Sequence, residues 1–169
     1  MRSTKQLAQC ALFISLALVL SYIERFFPLQ AFIPLPGVKL GLANIVTMVS
    51  LMCLGKRETF IIVILRCMLG AMFGGGVTGL LFSLTGGILS VTVMIAVSKI
   101  PYFSIYGVSI LGAAAHNIGQ ILAAMILMQS IYILTYLPWL LLTGLVTGLV
   151  IAILSSGVLR ILRNISEIM

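Results

Sequence analysis

Apolar residues run through this chain in long unbroken stretches, and the polar residues fall in the short gaps between them. Six stretches emerge, at about residues 7–23, 38–54, 59–73, 77–98, 104–128 and 137–159. None alternates with the period of two that a membrane β-strand requires, so a β-barrel is excluded. A helical bilayer crossing takes about 20 residues, and only the stretch at 59–73 is clearly short of that. In lipid each stretch must be helical, because an unpaired backbone group there costs several kcal/mol. The pattern predicts an all-α fold: one integral membrane domain, a polytopic bundle of six transmembrane helices.

Composition supports this. Of 169 residues, 62% are apolar and only 8% are charged, with a mean hydropathy of +1.27. A soluble domain carries about a quarter charged residues, so most of this chain's surface must lie in the lipid bilayer. The net charge of +7 would suggest nucleic acid in a soluble protein. Here the basic residues sit at the ends of the apolar stretches and act as topology determinants, so no nucleic-acid partner is expected. Arg2, Lys5, Lys56, Arg57, Lys99, Arg160 and Arg163 share one side if the spans alternate. The positive-inside rule then predicts that both termini are cytoplasmic. Tyr132, Tyr136 and Trp139 fall at the opposite interface, where amphipathic rings are enriched. The N-terminal basic residues and apolar run imitate a signal peptide, but no clear small-x-small cleavage site precedes Glu24 and the run is long enough for a retained first helix, which is expected.

Small residues recur three or four apart, a helical spacing that lets helices approach closely in lipid. The sixth stretch has Gly144, Gly148, Ala152 and Ser156; the fifth has Gly112, Ala115, Gly119 and Ala123; the fourth has Gly79, Ser83 and Gly87. The first has Ala11 with Ser15 and Ala17 with Ser21. Most such stripes serve packing within the chain, and the first is the one expected to face a partner.

A few polar residues interrupt the apolar runs. Arg66 lies inside the third, where an uncompensated arginine costs about 2.5–3.5 kcal/mol on insertion scales. The chain has no Asp, and its acids are Glu24, Glu58 and Glu167. Arg66 therefore either snorkels and pairs structurally or binds an anion. His116, Asn117 and Gln120 share a stripe of the fifth span, as interhelical hydrogen bonders or as the wall of a ligand site. Asn44 and Thr78 are placed to face the same cavity. The stretch 34–44 opens with Pro34 and Pro36, which suit a helix entry, and carries Lys39 near the outer boundary. The aromatic-rich connection 24–36 is a candidate cap. Gly74, Gly75 and Gly76 read as an outer turn or a nest of N–H groups for an anion. The candidate substrate-binding set is Arg66, His116, Asn117, Gln120, Asn44 and Lys39. No catalytic residue and no metal site is assigned. One histidine does not make a metal centre, and Cys10, Cys53 and Cys67 lack metal-ligand spacing. There is no nucleotide-binding loop, and no cofactor is expected.

The 34–44 stretch, the short third span ending in Gly74–Gly75–Gly76 and the six-span layout resemble the family named for Gx transporters. That family is also labelled heptaprenyl diphosphate synthase component I, and the resemblance covers nearly the whole chain. The chain is similar as well to the substrate-binding components of energy-coupling factor transporters. The resemblance implies a multi-pass protein of the bacterial cytoplasmic (inner) membrane that captures a small, anionic micronutrient from outside. It implies a transmembrane coupling subunit and ATPase subunits as partners, contacted partly through Ala11 and Ser15. The synthase label implies the alternative: a non-catalytic membrane subunit of prenylquinone synthesis. Prenyl chain elongation uses Asp-rich motifs and magnesium, which a chain without Asp cannot supply.

Overall fold

The computed structural model describes residues 4–26 and 41–168. Among these the chain forms six α-helices: α1 (Thr4–Ile23), α2 (Asn44–Cys53), α3 (Lys56–Gly70), α4 (Gly76–Val97), α5 (Ile105–Met128) and α6 (Leu137–Ile168). Short 3-10 turns at Glu24–Phe26 and Ile131–Tyr136 flank α1 and α6, and a π-helical turn at Ala71–Gly75 joins α3 to α4. No strand occurs among the described residues. Four helical stretches are long and apolar enough to cross a membrane: Thr4–Ile23, Lys56–Val97, Ile105–Met128 and Ile131–Asn164.

The stretch Lys56–Val97 is not one rod. Phe73 and Gly74 leave helical geometry, and Gly74 and Gly76 take positive φ. A β-carbon would strain those positions, which is why a glycine run makes this turn. The chain then folds back: Cys67 Sγ lies 3.3 Å from the Ser83 carbonyl oxygen, and Gly87 sits against Val63. The later pairs repeat the pattern. Gly119 meets Gly86 and Gly112 meets Met94 across α4 and α5. Ser109 Oγ donates to the Gly148 carbonyl at 2.7 Å across α5 and α6. Helices α3 to α6 therefore form successive antiparallel hairpins.

Glycine makes these approaches possible. A β-carbon at Gly119 would lie 2.6 Å from the Thr85 carbonyl oxygen, and one at Gly148 would lie 2.7 Å from Ile110 Cα. The stripes of the fifth and sixth spans thus serve intramolecular packing. Helix α1 is bound more loosely. It buries only Cys10 and Ala17, packing Ala17 with Phe13 and Leu20 against Ala43 and Val46. Ala11 and Ser15 face outward, exposed.

Element boundaries differ from the sequence-based ones at the second span. That span is expected from residue 38, yet α2 starts only at Asn44. At about 1.5 Å per residue, its ten residues make about 15 Å, half of a hydrocarbon core of about 30 Å. Lys39 and nearly all of the expected 24–36 cap lie outside the described residues.

Candidate functional site

The short α2 places its first residue at mid-depth. Asn44 is nine residues from Cys53, Arg66 ten from Lys56, Gly87 ten from Val97 and His116 eleven from Ile105. These helix ends share one face of an antiparallel bundle. At 1.5 Å per residue all four positions sit about 14–17 Å from it, close to the middle of a hydrocarbon layer.

The side chains meet there. Arg66 Nη2 donates to Asn44 Oδ1 at 3.2 Å. His116 Nε2 and Gln120 Nε2 lie 3.2 Å apart, so the imidazole accepts there from the amide in the tautomer protonated on Nδ1. Gly41 bridges the two pairs: a β-carbon there would stand 2.9 Å from Asn44 Nδ2 and 3.3 Å from His116 Cδ2. Gly41 itself has φ of 82°, the conformation that favours glycine. Its N–H donates to a carboxylate oxygen of Glu24, which carries the end of α1 into the same cluster. On the far side, Gly86 makes room for the imidazole and Gly87 for the guanidinium.

The cluster is closed. Exposure is 3% for Asn44, 7% for Arg66, 5% for His116, 0% for Gln120 and 5% for Glu24. One apolar layer, with Phe82, Ile121, Ala124 and Leu140, lies toward the C-terminal end of α5. Another, with Met48, Leu51, Met94 and Val108, lies toward its N-terminal end. Buried polar groups in such a setting are normally all paired. Here Asn44 Nδ2, Arg66 Nε and Gln120 Oε1 have no hydrogen-bond partner among the described residues. Leaving one buried group unsatisfied costs about 1–3 kcal/mol. Three such atoms, two donors and an acceptor, belong to this one cluster beside the Arg66 guanidinium. A cavity of about 20 Å³ adjoins Arg66, lined also by Ser21, Gly70, Gly75, Gly79 and Ser83 among others. That is room for a water molecule.

Of the sequence-derived candidates, the structure brings together Arg66, Asn44, His116 and Gln120. Asn117 goes elsewhere: its amide donates to the Leu140 carbonyl of α6 and packs on Gly144. Adjacent helical residues diverge by about 100°, and Gln120 stays with His116. Thr78 is exposed in the first turn of α4. Glu24, Gly41 and Gly86 are members that the polarity pattern does not assign. The Gly86–Gly87 pair in the middle of a long apolar helix is the signal that marks the close approach.

The model of a family described as heptaprenyl diphosphate synthase component I matches residues 13–158. No curated protein and no solved structure matches the chain.

Proposed function

The chain belongs to the heptaprenyl diphosphate synthase component I family, and we propose that it is the substrate-binding membrane component of a bacterial transporter of the energy-coupling factor type. In this proposal the chain crosses the inner membrane six times with both termini cytoplasmic. The molecule captured from outside is small and anionic.

One observation carries the proposal. Arg66 is a buried cation that donates to the neutral amide of Asn44, and Arg66 Nε has no hydrogen bond among the described residues. A positive charge held at mid-bilayer is expensive, and its retention needs a return. An anionic ligand supplies the charge complement, with Asn44 Nδ2 as a second donor and Gln120 Oε1 accepting from any donor the ligand carries. Preformed glycine contacts around His116 and Arg66 hold these groups still, which lowers the ordering cost of binding. Energy comes from partner ATPase subunits through a transmembrane coupling subunit. The outward face of α1 at Ala11 and Ser15, small and loosely held, suits a close helix–helix contact.

A second reading follows from the family description. A non-catalytic membrane subunit associated with a heptaprenyl diphosphate synthase would hold an isoprenoid beside the bilayer, and an apolar groove between α1 and α3 favours it.

Native mass spectrometry of the purified protein tests the first reading. A co-purifying small anion, lost from the Arg66→Ala protein, is expected. An Arg66→Ala protein that retains the same bound molecule rules out the anion site.

A further inference from the structure

We propose that the small cavity beside Arg66 is a halide site: a single chloride-sized anion, held between the guanidinium and the first turn of α4, neutralises the buried charge while no substrate is bound. The inference goes beyond the substrate reading above, because it concerns the protein before capture and does not depend on what is captured.

Three helices and a turn build the cavity. Ser21 of α1, Arg66 and Gly70 of α3, Gly75 of the π-helical turn, and Gly79 and Ser83 of α4 are among its walls. Arg66 is 7% exposed, and its Nε has no hydrogen-bond partner among the described residues. The Asn44 oxygen that accepts from Nη2 is neutral. Among the described residues no carboxylate lines the cavity. The Glu24 carboxylate accepts from the Gly41 N–H and is not one of the walls.

The wall supplied by α4 is a helix start. The helix begins at Gly76, and no side chain caps it. The first N–H groups of a helix have no intrahelical carbonyl and carry the positive end of the helix dipole. Gly79 belongs to that first turn, and a β-carbon there would meet nothing within 4 Å, so its backbone stands bare. The Ser83 carbonyl oxygen already accepts from the Cys67 thiol, and the Ser21 hydroxyl supplies a further donor. A helix start of this kind favours an anion. By itself it would be an ordinary turn; the buried guanidinium with an unused N–H is what assigns a ligand to it.

Size selects the ion. A space of about 20 Å³ takes one water-sized occupant. Chloride and bromide are monatomic and near that size, whereas sulfate and phosphate are too large. Water fits but leaves the charge uncompensated, and an unpaired charge in a low-dielectric interior is far costlier than a paired one. A captured anion then reaches Arg66 by exchange, so halide and substrate compete.

The test uses the full chain purified in detergent and exchanged into gluconate buffer. Radioactive chloride binding is measured by equilibrium dialysis. Thermal unfolding is followed with chloride, bromide, sulfate and phosphate at one ionic strength. The expected result is one chloride per chain and an unfolding temperature that rises with chloride and bromide, with sulfate and phosphate at least tenfold less effective. Arg66→Gln is expected to lose at least tenfold in chloride affinity. Ser21→Val keeps the arginine and puts methyl groups into the cavity; it is expected to lose as much, and it carries the test if Arg66→Gln does not fold. Chloride bound equally by the parent and both variants overturns the halide site. Chloride lost from Arg66→Gln but kept by Ser21→Val places the ion outside this cavity and overturns it too. If the parent binds no saturable chloride, the halide site fails, and a larger anion that co-purifies with the parent and is lost from Arg66→Ala leaves the substrate reading standing. Saturable chloride lost from both variants, with no co-purifying molecule, upholds the halide site and leaves the substrate reading without support.

Discussion

The Glu24 carboxylate accepts a hydrogen bond from the backbone N–H of Gly41, joining the end of α1 to the start of α2 beside Asn44 and His116. Both residues are buried. The contact ties the most loosely held helix to the polar cluster. Breaking it leaves a buried backbone donor unsatisfied, at a cost of about 1–3 kcal/mol. Glu24→Ala is expected to lower the unfolding temperature in detergent, and Glu24→Gln, which keeps an acceptor oxygen, to recover at least half of the loss. Equal melting of all three proteins refutes the role.

Glycine positions offer a test whose sign is set by space. At Gly119 a β-carbon would press on the backbone of α4, 2.6 Å from the Thr85 carbonyl oxygen and 2.7 Å from Gly86 Cα. Neither atom can move without moving the helix. Gly119→Ala is expected to destabilise by about 1–3 kcal/mol, the usual cost of overpacking. At Gly79 a β-carbon meets nothing, so Gly79→Ala should be neutral or gain up to about 1 kcal/mol from helix propensity. Thermal or chemical unfolding of the pair decides it, and a reversed order would mean that α4 and α5 do not approach as described.

Much of this fold is written in the hydrophobic pattern. The fifth span, expected at 104–128, is α5 at Ile105–Met128. Continuous apolar runs bounded by charge or glycine leave little freedom in lipid. The start of α2 was not legible, because Leu42 and Ala43 are as apolar as the helix and the hydrophobic pattern runs across its first residue. The site was legible as a list of residue types and not as a set. Arg66 and Asn44 are 22 residues apart, and nothing in one dimension says that α2 starts level with the guanidinium. His116 and Asn117 are neighbours in sequence and part company in space, one toward α4 and the other toward α6.

The proposed orientation of the bundle rests on charge and can be tested by labelling. In a background with Cys10, Cys53 and Cys67 replaced by serine or alanine, cysteine is placed at Tyr102, between α4 and α5, or at Tyr132, between α5 and α6. Both positions are highly exposed. Lys99 lies on the Tyr102 side, so the positive-inside rule puts Tyr102 in the cytoplasm and Tyr132 outside. A membrane-impermeant maleimide added to intact cells is expected to label Tyr132→Cys and spare Tyr102→Cys until the cells are opened. The opposite pattern inverts the proposed topology and moves the entrance of the site to the inner leaflet.

Asn44→Asp separates a structural role of Arg66 from a ligand-binding one. Asn44 Oδ1 already accepts from Arg66 Nη2 at 3.2 Å, and aspartate is nearly the same shape. The substitution places a carboxylate against the guanidinium, so the bundle carries its own counter-charge. It also removes the unsatisfied Asn44 Nδ2, one of the two donors proposed to face the anion. If Arg66 serves only to hold α2 against α3, the variant should be at least as stable and should bind whatever the parent binds. If Arg66 awaits an anion, stability and binding should move in opposite directions. We expect an unfolding temperature equal to or above that of the parent, because hydrogen bonds between ions are stronger than those to a neutral amide. We expect anion affinity to fall at least tenfold, about 1.4 kcal/mol, because the internal carboxylate competes for the guanidinium and repels the ligand. Arg66→Ala should weaken binding without the gain in stability. A variant that keeps full anion affinity would show that the guanidinium and the amide of Asn44 are not the recognition elements.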